Sequence, residues 1–247
     1  MPKSKGRKAK RNTQMRRTHD PLGLNQLSDP ITAWNQHAET LSVDQFYSGW
    51  CHLRLGADEH QRALAAATMM WVGAGDPGGS SAGMFQCWHA CYLIGKGMTA
   101  LGYSYSLLTV AVDVCRPDGQ VIDRIGSLSP RHEGNHWTGH TVLHIPAMTT
   151  IFDPTIGQGR FATTPLLRAP AILADPRLTR QAPPGSQFII RRDPTTILVY
   201  TVTNEGERPE DHPGHEAQKR HIDEQFERLA ATFVPHARNM QQRHSRM

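Results

Sequence analysis

The sequence predicts an α+β fold: a helical N-terminal part, then an antiparallel β-sheet on which one of the helices packs. Three observations carry this expectation. Apolar residues recur at helical spacing up to about residue 101 and at strand spacing after it. The strand-like runs from 104 to 203 are broken by tight turns such as Pro117-Asp118-Gly119, which join antiparallel neighbours. Helices first and strands afterwards is the order of an α+β layout, not of alternating βαβ units.

Each element follows from its local chemistry. Residues 1–30 are polar, and the first 17 carry eight of the 27 lysines and arginines and no acid. The remaining 19 bases face all 22 acids, so the basic balance belongs to an arm and not to the folded surface. An arm with so little to bury is expected to stay solvated, with residues 1–20 as a candidate tether to nucleic acid or another acidic surface. Residues 41–54 place Val43, Phe46, Tyr47, Trp50 and Leu53 at helical spacing after Ser42, a candidate N-cap. A second helix covers 57–72, with Leu64, Ala67 and Trp71 on one face and Gly73 as its stop. The glycine-dense stretch 73–84 has no Walker A lysine and no dinucleotide-binding context, so it reads as a loop leading into the next helix.

That third helix spans 85–101. Strands are expected at 104–115, 120–127, 139–146, 149–153, 187–192 and 196–203. Between them lie a polar loop at 129–138 and a proline-rich crossing at 164–186. Residues 214–235 form a charged amphipathic helix with Ile222, Phe226, Leu229, Ala230 and Phe233 on one face, expected to add to the core or to a dimer contact. No apolar leader follows the basic start and no run of about 18 apolar residues occurs, so neither a secretory signal nor a membrane span is expected. With four cysteines and no C-x-x-C pair, the chain is expected in a reducing, cytoplasmic setting, without a disulfide framework or a zinc ribbon.

Three residues stand where a thiol enzyme needs them. Cys87, in Gly83-Met84-Phe85-Gln86-Cys87-Trp88, falls in the first turn of the third helix, where unsatisfied N–H groups stabilise an anion and could face an oxyanion. His140 opens a strand after Gly139. Asp153 closes the next one, before Pro154. A thiol needs a base, and the base needs an acceptor that fixes its ring. Cys91 lies one turn below Cys87 and reads as core, while Cys51 and Cys115 have no catalytic setting. His144 shares the strand face of His140 but lies deeper, as a core histidine. His89 falls nearly opposite Cys87 on the helical wheel. Gln86, Trp88 and Gln158 are candidates for oxyanion or substrate contacts.

His132-Glu133-Gly134-Asn135-His136 is a literal H-E-x-x-H, which binds zinc when helical. Gly and Asn are poor helix interiors and the surroundings are strand, so a metal site is not expected there, and no cofactor is implied.

Taken together, the run from Cys87 to Leu101-Gly102, the strand-opening Gly139-His140-Thr141-Val142 and the segment Phe152-Asp153-Pro154-Thr155 resemble the transglutaminase-like branch of the papain-like cysteine enzymes, over roughly residues 60–160. The resemblance implies a catalytic helix packed on an antiparallel sheet and acyl transfer or hydrolysis at amide bonds. It makes Cys87 the nucleophile, His140 the base and Asp153 the orienting acid. The family often carries Trp two residues after the histidine, where this chain has Val142. The chain then divides into a basic arm (1–30), a transglutaminase-like catalytic domain (31–204) and a C-terminal charged helix with its tail (205–247). The expected activity is that of a peptidase, amidase or transglutaminase-like enzyme on a protein or peptide amide. Two alternatives stand beside it: a non-catalytic scaffold that docks nucleic acid or protein through its arm, and an acyl-CoA-dependent N-acyltransferase using the same triad.

Overall fold

A computed structural model describes residues 58–74, 86–134, 136–163, 167, 169–203 and 205–244 of the 247. The basic arm, the helix expected at 41–54, Cys51 and nearly all of the glycine-dense loop lie outside these residues.

The described helices are α1 (Glu59–Gly73), α2 (Gln86–Ala100) and α3 (His215–His244). Asp58 caps α1, its carboxylate accepting the Gln61 N–H at 2.9 Å. Helices α1 and α2 cross closely because small residues face each other: a Cβ at Gly97 would stand 3.1 Å from that of Ala67. Helix α3 lies against both. It runs further than its periodicity predicts, continuing through Pro235 to His244. It is tied to α2 by a Lys96–Asp223 ion pair, by the Tyr92 hydroxyl on Asp223 (3.1 Å) and by His89 on Gln225 (3.1 Å), with Ile222 fully buried between the helices.

The strands are β1 (Ser106–Cys115), β2 (Val121–Ile125), β3 (His132–Glu133), β4 (His136–Trp137), β5 (His140–Ile145), β6 (Thr150–Asp153), β7 (Ala171–Ala174), β8 (Gln187–Arg191) and β9 (Ile197–Val202). Seven of them form one sheet in the order β7-β6-β5-β1-β9-β8, with β2 added on β1, and every pairing is antiparallel. The described chain is thus an α+β fold. None of its described helices is long and apolar enough to cross a membrane.

Two differences from the sequence reading stand out. The polar loop at 129–138 holds a two-stranded hairpin, β3–β4, with Gly134 at φ +61°. The proline-rich crossing contains β7, which completes the sheet edge beside β6. Both strands are too short to produce an alternating pattern.

Strand β1 organises the sheet. Its first half pairs with β5 (Ser106↔His144 to Val110↔His140) and its second half with β2 (Val112↔Ile125 to Cys115↔Val121), while β9 pairs with it from Val110 onward. The start of β5 and the end of β2 therefore meet beside the middle of β1. Side chains alternate across the sheet. Leu143, Ile145 and Phe152 join the helices in one core, and Val110, Val142, Ile151 and Tyr200 join Phe161, Leu178 and Phe188 in the other.

Candidate active site

Cys87 is the second residue of α2, whose first turn holds no acid. Its side chain is buried at 6% exposure. His140 is the first residue of β5, Asp153 the last of β6, and both are 1% exposed. Burying them costs solvation, and the arrangement offsets it with partners. The His140 Nε2–H donates to Asp153 Oδ2 at 2.8 Å, and the Cys87 side chain lies near enough to the ring for its charge to raise the imidazole's pKa. With Nε2 committed to Asp153, Nδ1 is the nitrogen left for the sulfur. The sequence-predicted Cys87, His140 and Asp153 thus form one continuous line of contacts.

Asp153 is held at both oxygens. Oδ1 accepts the Thr155 backbone N–H at 3.0 Å, the turn made where Pro154 ends the strand. Oδ2 accepts the Tyr200 hydroxyl at 3.1 Å besides the imidazole. Burial by itself pushes His140 toward the neutral ring, but the Asp153 carboxylate and its hydrogen bond, together with the hydrogen bond and charge of Cys87, outweigh it. The net result is a pKa raised to about 10, so the ring carries its proton at neutral pH.

Two residues with no signal in the sequence complete this centre. Tyr200 lies mid-strand in an apolar alternation and reads as core. Only its register opposite Val112 places its hydroxyl on Asp153. Burial, then the Asp153 charge and hydrogen bond, push its phenol far above the usual range, so it acts as a donor only. Gly126 reads as a turn glycine after β2. It has φ +75°, and a Cβ there would lie 2.7 Å from the His140 Cβ and 2.8 Å from the Val110 carbonyl oxygen. Nothing larger fits beside His140.

The remaining candidates separate clearly. The Gln158 amide lies 3.4 Å from His140 Nδ1 on an exposed side chain, so it reaches the reacting edge of the ring. Gln86 is exposed at the start of α2. Trp88 is buried, stacked on Tyr92 with centroids 5.0 Å apart and met edge-on by His215 at 4.5 Å. Cys91 is fully buried and donates its S–H to the Thr141 carbonyl at 3.3 Å. Burial, with the charges of Asp153 and Cys87, pushes its thiol well up, which keeps it protonated. His144 is a bonded core residue, between Ser106 (3.0 Å) and the Leu178 carbonyl (2.9 Å). The H-E-x-x-H segment is the β3–β4 hairpin and not a helix.

No protein-family model, no curated protein and no solved structure matches this chain.

Proposed function

We propose that this protein is a cysteine-nucleophile acyl-transfer enzyme acting on amide bonds, with a papain- or transglutaminase-like core. The observation that carries the reading is the buried line Cys87–His140–Asp153, in which one imidazole is held by a carboxylate on one nitrogen and meets a sulfur with its other edge. In the first half-reaction the Cys87 thiolate attacks the amide carbonyl carbon, and the resulting oxyanion is met by the Cys87 backbone N–H at the helix start. His140 gives its Nδ1 proton to the departing amine as the C–N bond breaks, leaving an acyl-thioester. In the second, neutral His140 takes a proton from water, or from an acceptor amine, which attacks the thioester; the proton returns to the sulfur side as the acyl product leaves. Asp153 stays an acceptor throughout and fixes the tautomer.

Site-resolved alkylation tests this directly. Iodoacetamide at neutral pH is expected to modify Cys87 at least tenfold faster than Cys51, Cys91 or Cys115, and His140→Ala is expected to abolish the preference. Acetylation by p-nitrophenyl acetate is expected at Cys87 alone. Equal rates at all four thiols would overturn the proposal and favour a docking scaffold.

A further inference from the structure

The edge of His140 that can exchange a proton is Nδ1, because Nε2 is committed to Asp153 at 2.8 Å. The ring is only 1% exposed. Gln158 is exposed, and its amide nitrogen lies 3.4 Å from Nδ1. Its side chain therefore runs from solvent to the reacting edge of the ring.

The position is built into the fold. Gln158 closes a single 3-10 turn, Ile156–Gln158, whose first residue is fully buried. Its backbone N–H donates to the Thr155 carbonyl at 3.1 Å, and the Thr155 N–H in turn holds Asp153 Oδ1 at 3.0 Å. One turn thus fixes the carboxylate on one nitrogen of the ring and the amide at the other. Beyond Gln158 the chain is fastened to β2. The Phe161 N–H donates to Asp123 Oδ2 at 3.2 Å, and a Cβ at Gly159 would stand 2.6 Å from the Ile125 side chain. The segment that carries the amide has little room to shift.

The residue type fits one task. Anything that exchanges a proton with Nδ1 must come within about 2.6–3.2 Å of it, which puts it beside the Gln158 amide. A carboxamide offers an acceptor oxygen and a donor N–H and carries no charge. A carboxylate in this place would hold the proton on the ring. A lysine or arginine would offer no acceptor at all. An uncharged acceptor beside a base suits a molecule with two hydrogens, one for the base to take and one to be held.

We infer that Gln158 positions the nucleophile of the second half-reaction: its Oε1 accepts one hydrogen of the attacking water, or of an acceptor amine, while His140 Nδ1 takes the other. The inference rests on the proposed acyl-transfer reading. The water oxygen bonds to the thioester carbonyl carbon as its proton passes to Nδ1. The tetrahedral intermediate then collapses, the C–S electron pair goes to sulfur, and a carboxylic acid leaves. Cys87 is left as thiolate and His140 as imidazolium.

p-Nitrophenyl acetate separates the two halves, because p-nitrophenolate departs without needing a proton. The acetyl adduct on Cys87 is formed with excess reagent, the reagent is removed, and loss of the adduct is followed by mass spectrometry of the full chain. Gln158→Met keeps the length of the side chain and loses both polar atoms. Its acetylation rate is expected to hold, and its adduct to decay about tenfold more slowly, the effect of one lost hydrogen bond. Gln158→Asn, whose amide falls one methylene short, is expected to behave like Gln158→Met. Gln158→Glu keeps an acceptor, and its decay is expected to need a higher pH than the parent's, because the added carboxylate holds the ring's proton. Hydroxylamine attacks a thioester without a base and is expected to clear the adduct from all four proteins at one rate. Equal decay in the parent and Gln158→Met would overturn the inference and leave the acyl-transfer reading standing. Acetylation slowed as much as decay would also overturn it, since that marks a residue that only packs. Absence of any Cys87 adduct in the parent protein would overturn both.

Discussion

Tyr200 and His140 share one oxygen of Asp153: Oδ2 accepts the phenol at 3.1 Å and the imidazole at 2.8 Å. The two donors come from β5 and β9, which β1 separates in the sheet order, and they divide the electron density of a single carboxylate oxygen. The phenol thus sets how strongly Asp153 holds the histidine's proton.

Tyr200→Phe keeps the ring and removes only this donor. Asp153 then binds the imidazolium more tightly, and the His140 titration is expected to move upward from about 10. Stability is expected to fall by about 1 kcal/mol, the net value of one hydrogen bond, and acetylation of Cys87 by a few-fold. Histidine ring NMR across pH 7–11 reads the titration, and an unchanged midpoint would show that the phenol is only packing.

Asp153→Asn presents a buried ring with a neutral partner and frees the wrong tautomer. Acylation of Cys87 is expected to drop by about 10⁴, the loss seen when a triad carboxylate becomes an amide. A stopped-flow p-nitrophenol release measured on both proteins checks it. Because the change leaves a buried half-pair, denaturant unfolding is expected to show a loss of roughly 3–5 kcal/mol.

Gly126→Ala is predicted to disable the site without touching it chemically. The new Cβ meets the His140 Cβ and the Val110 backbone, and the residue must also hold φ +75°. Gly119→Ala is the control, since it has φ +86° and nothing within 4 Å. Each is expected to lose about 1–3 kcal/mol from backbone strain, but only the Gly126 variant to lose the selective alkylation of Cys87.

The raised pKa of His140 makes stability depend on pH with a definite sign. A group whose folded pKa lies above its unfolded value stabilises fully below the unfolded value, near 6.5, and its contribution is lost as pH climbs through about 10. Thermal unfolding midpoints are expected to hold steady up to about pH 6.5 and then to fall toward pH 10. The fall is expected to be clearly smaller in His140→Gln, which has no such proton to lose. Parallel curves for the two proteins would contradict the assigned charge.

How much of this was readable in the chain depends on the range of each signal. The turns at Pro117-Asp118-Gly119 and Asp193-Pro194, the mostly apolar run of β1 and the apolar stretch of the helix from Gln86 are local patterns, and they placed those elements to within a few residues. Cys87, His140 and Asp153 were legible because each sits at an element boundary with a distinctive neighbour: the helix start, Gly139 and Pro154. Strand β7 was not, because Ala171–Ala174 is four residues long inside a proline-rich stretch and owes its form to pairing with β6. Tyr200 and Gly126 were invisible for a related reason. Their roles depend on which residue lies opposite them across β1, and a register is a property of two distant segments, not of either one.

The way β1 is shared has a consequence for synthesis on the ribosome. Cys87 is made early, His140 and Asp153 follow, and β9, which brings the phenol and closes the second edge of β1, is the last described strand translated. Until it emerges, the growing polypeptide holds His140 and Asp153 without the phenol that shares the carboxylate oxygen. The hydrogen bonding of Asp153 can therefore be completed only once β9 has emerged, near the end of translation.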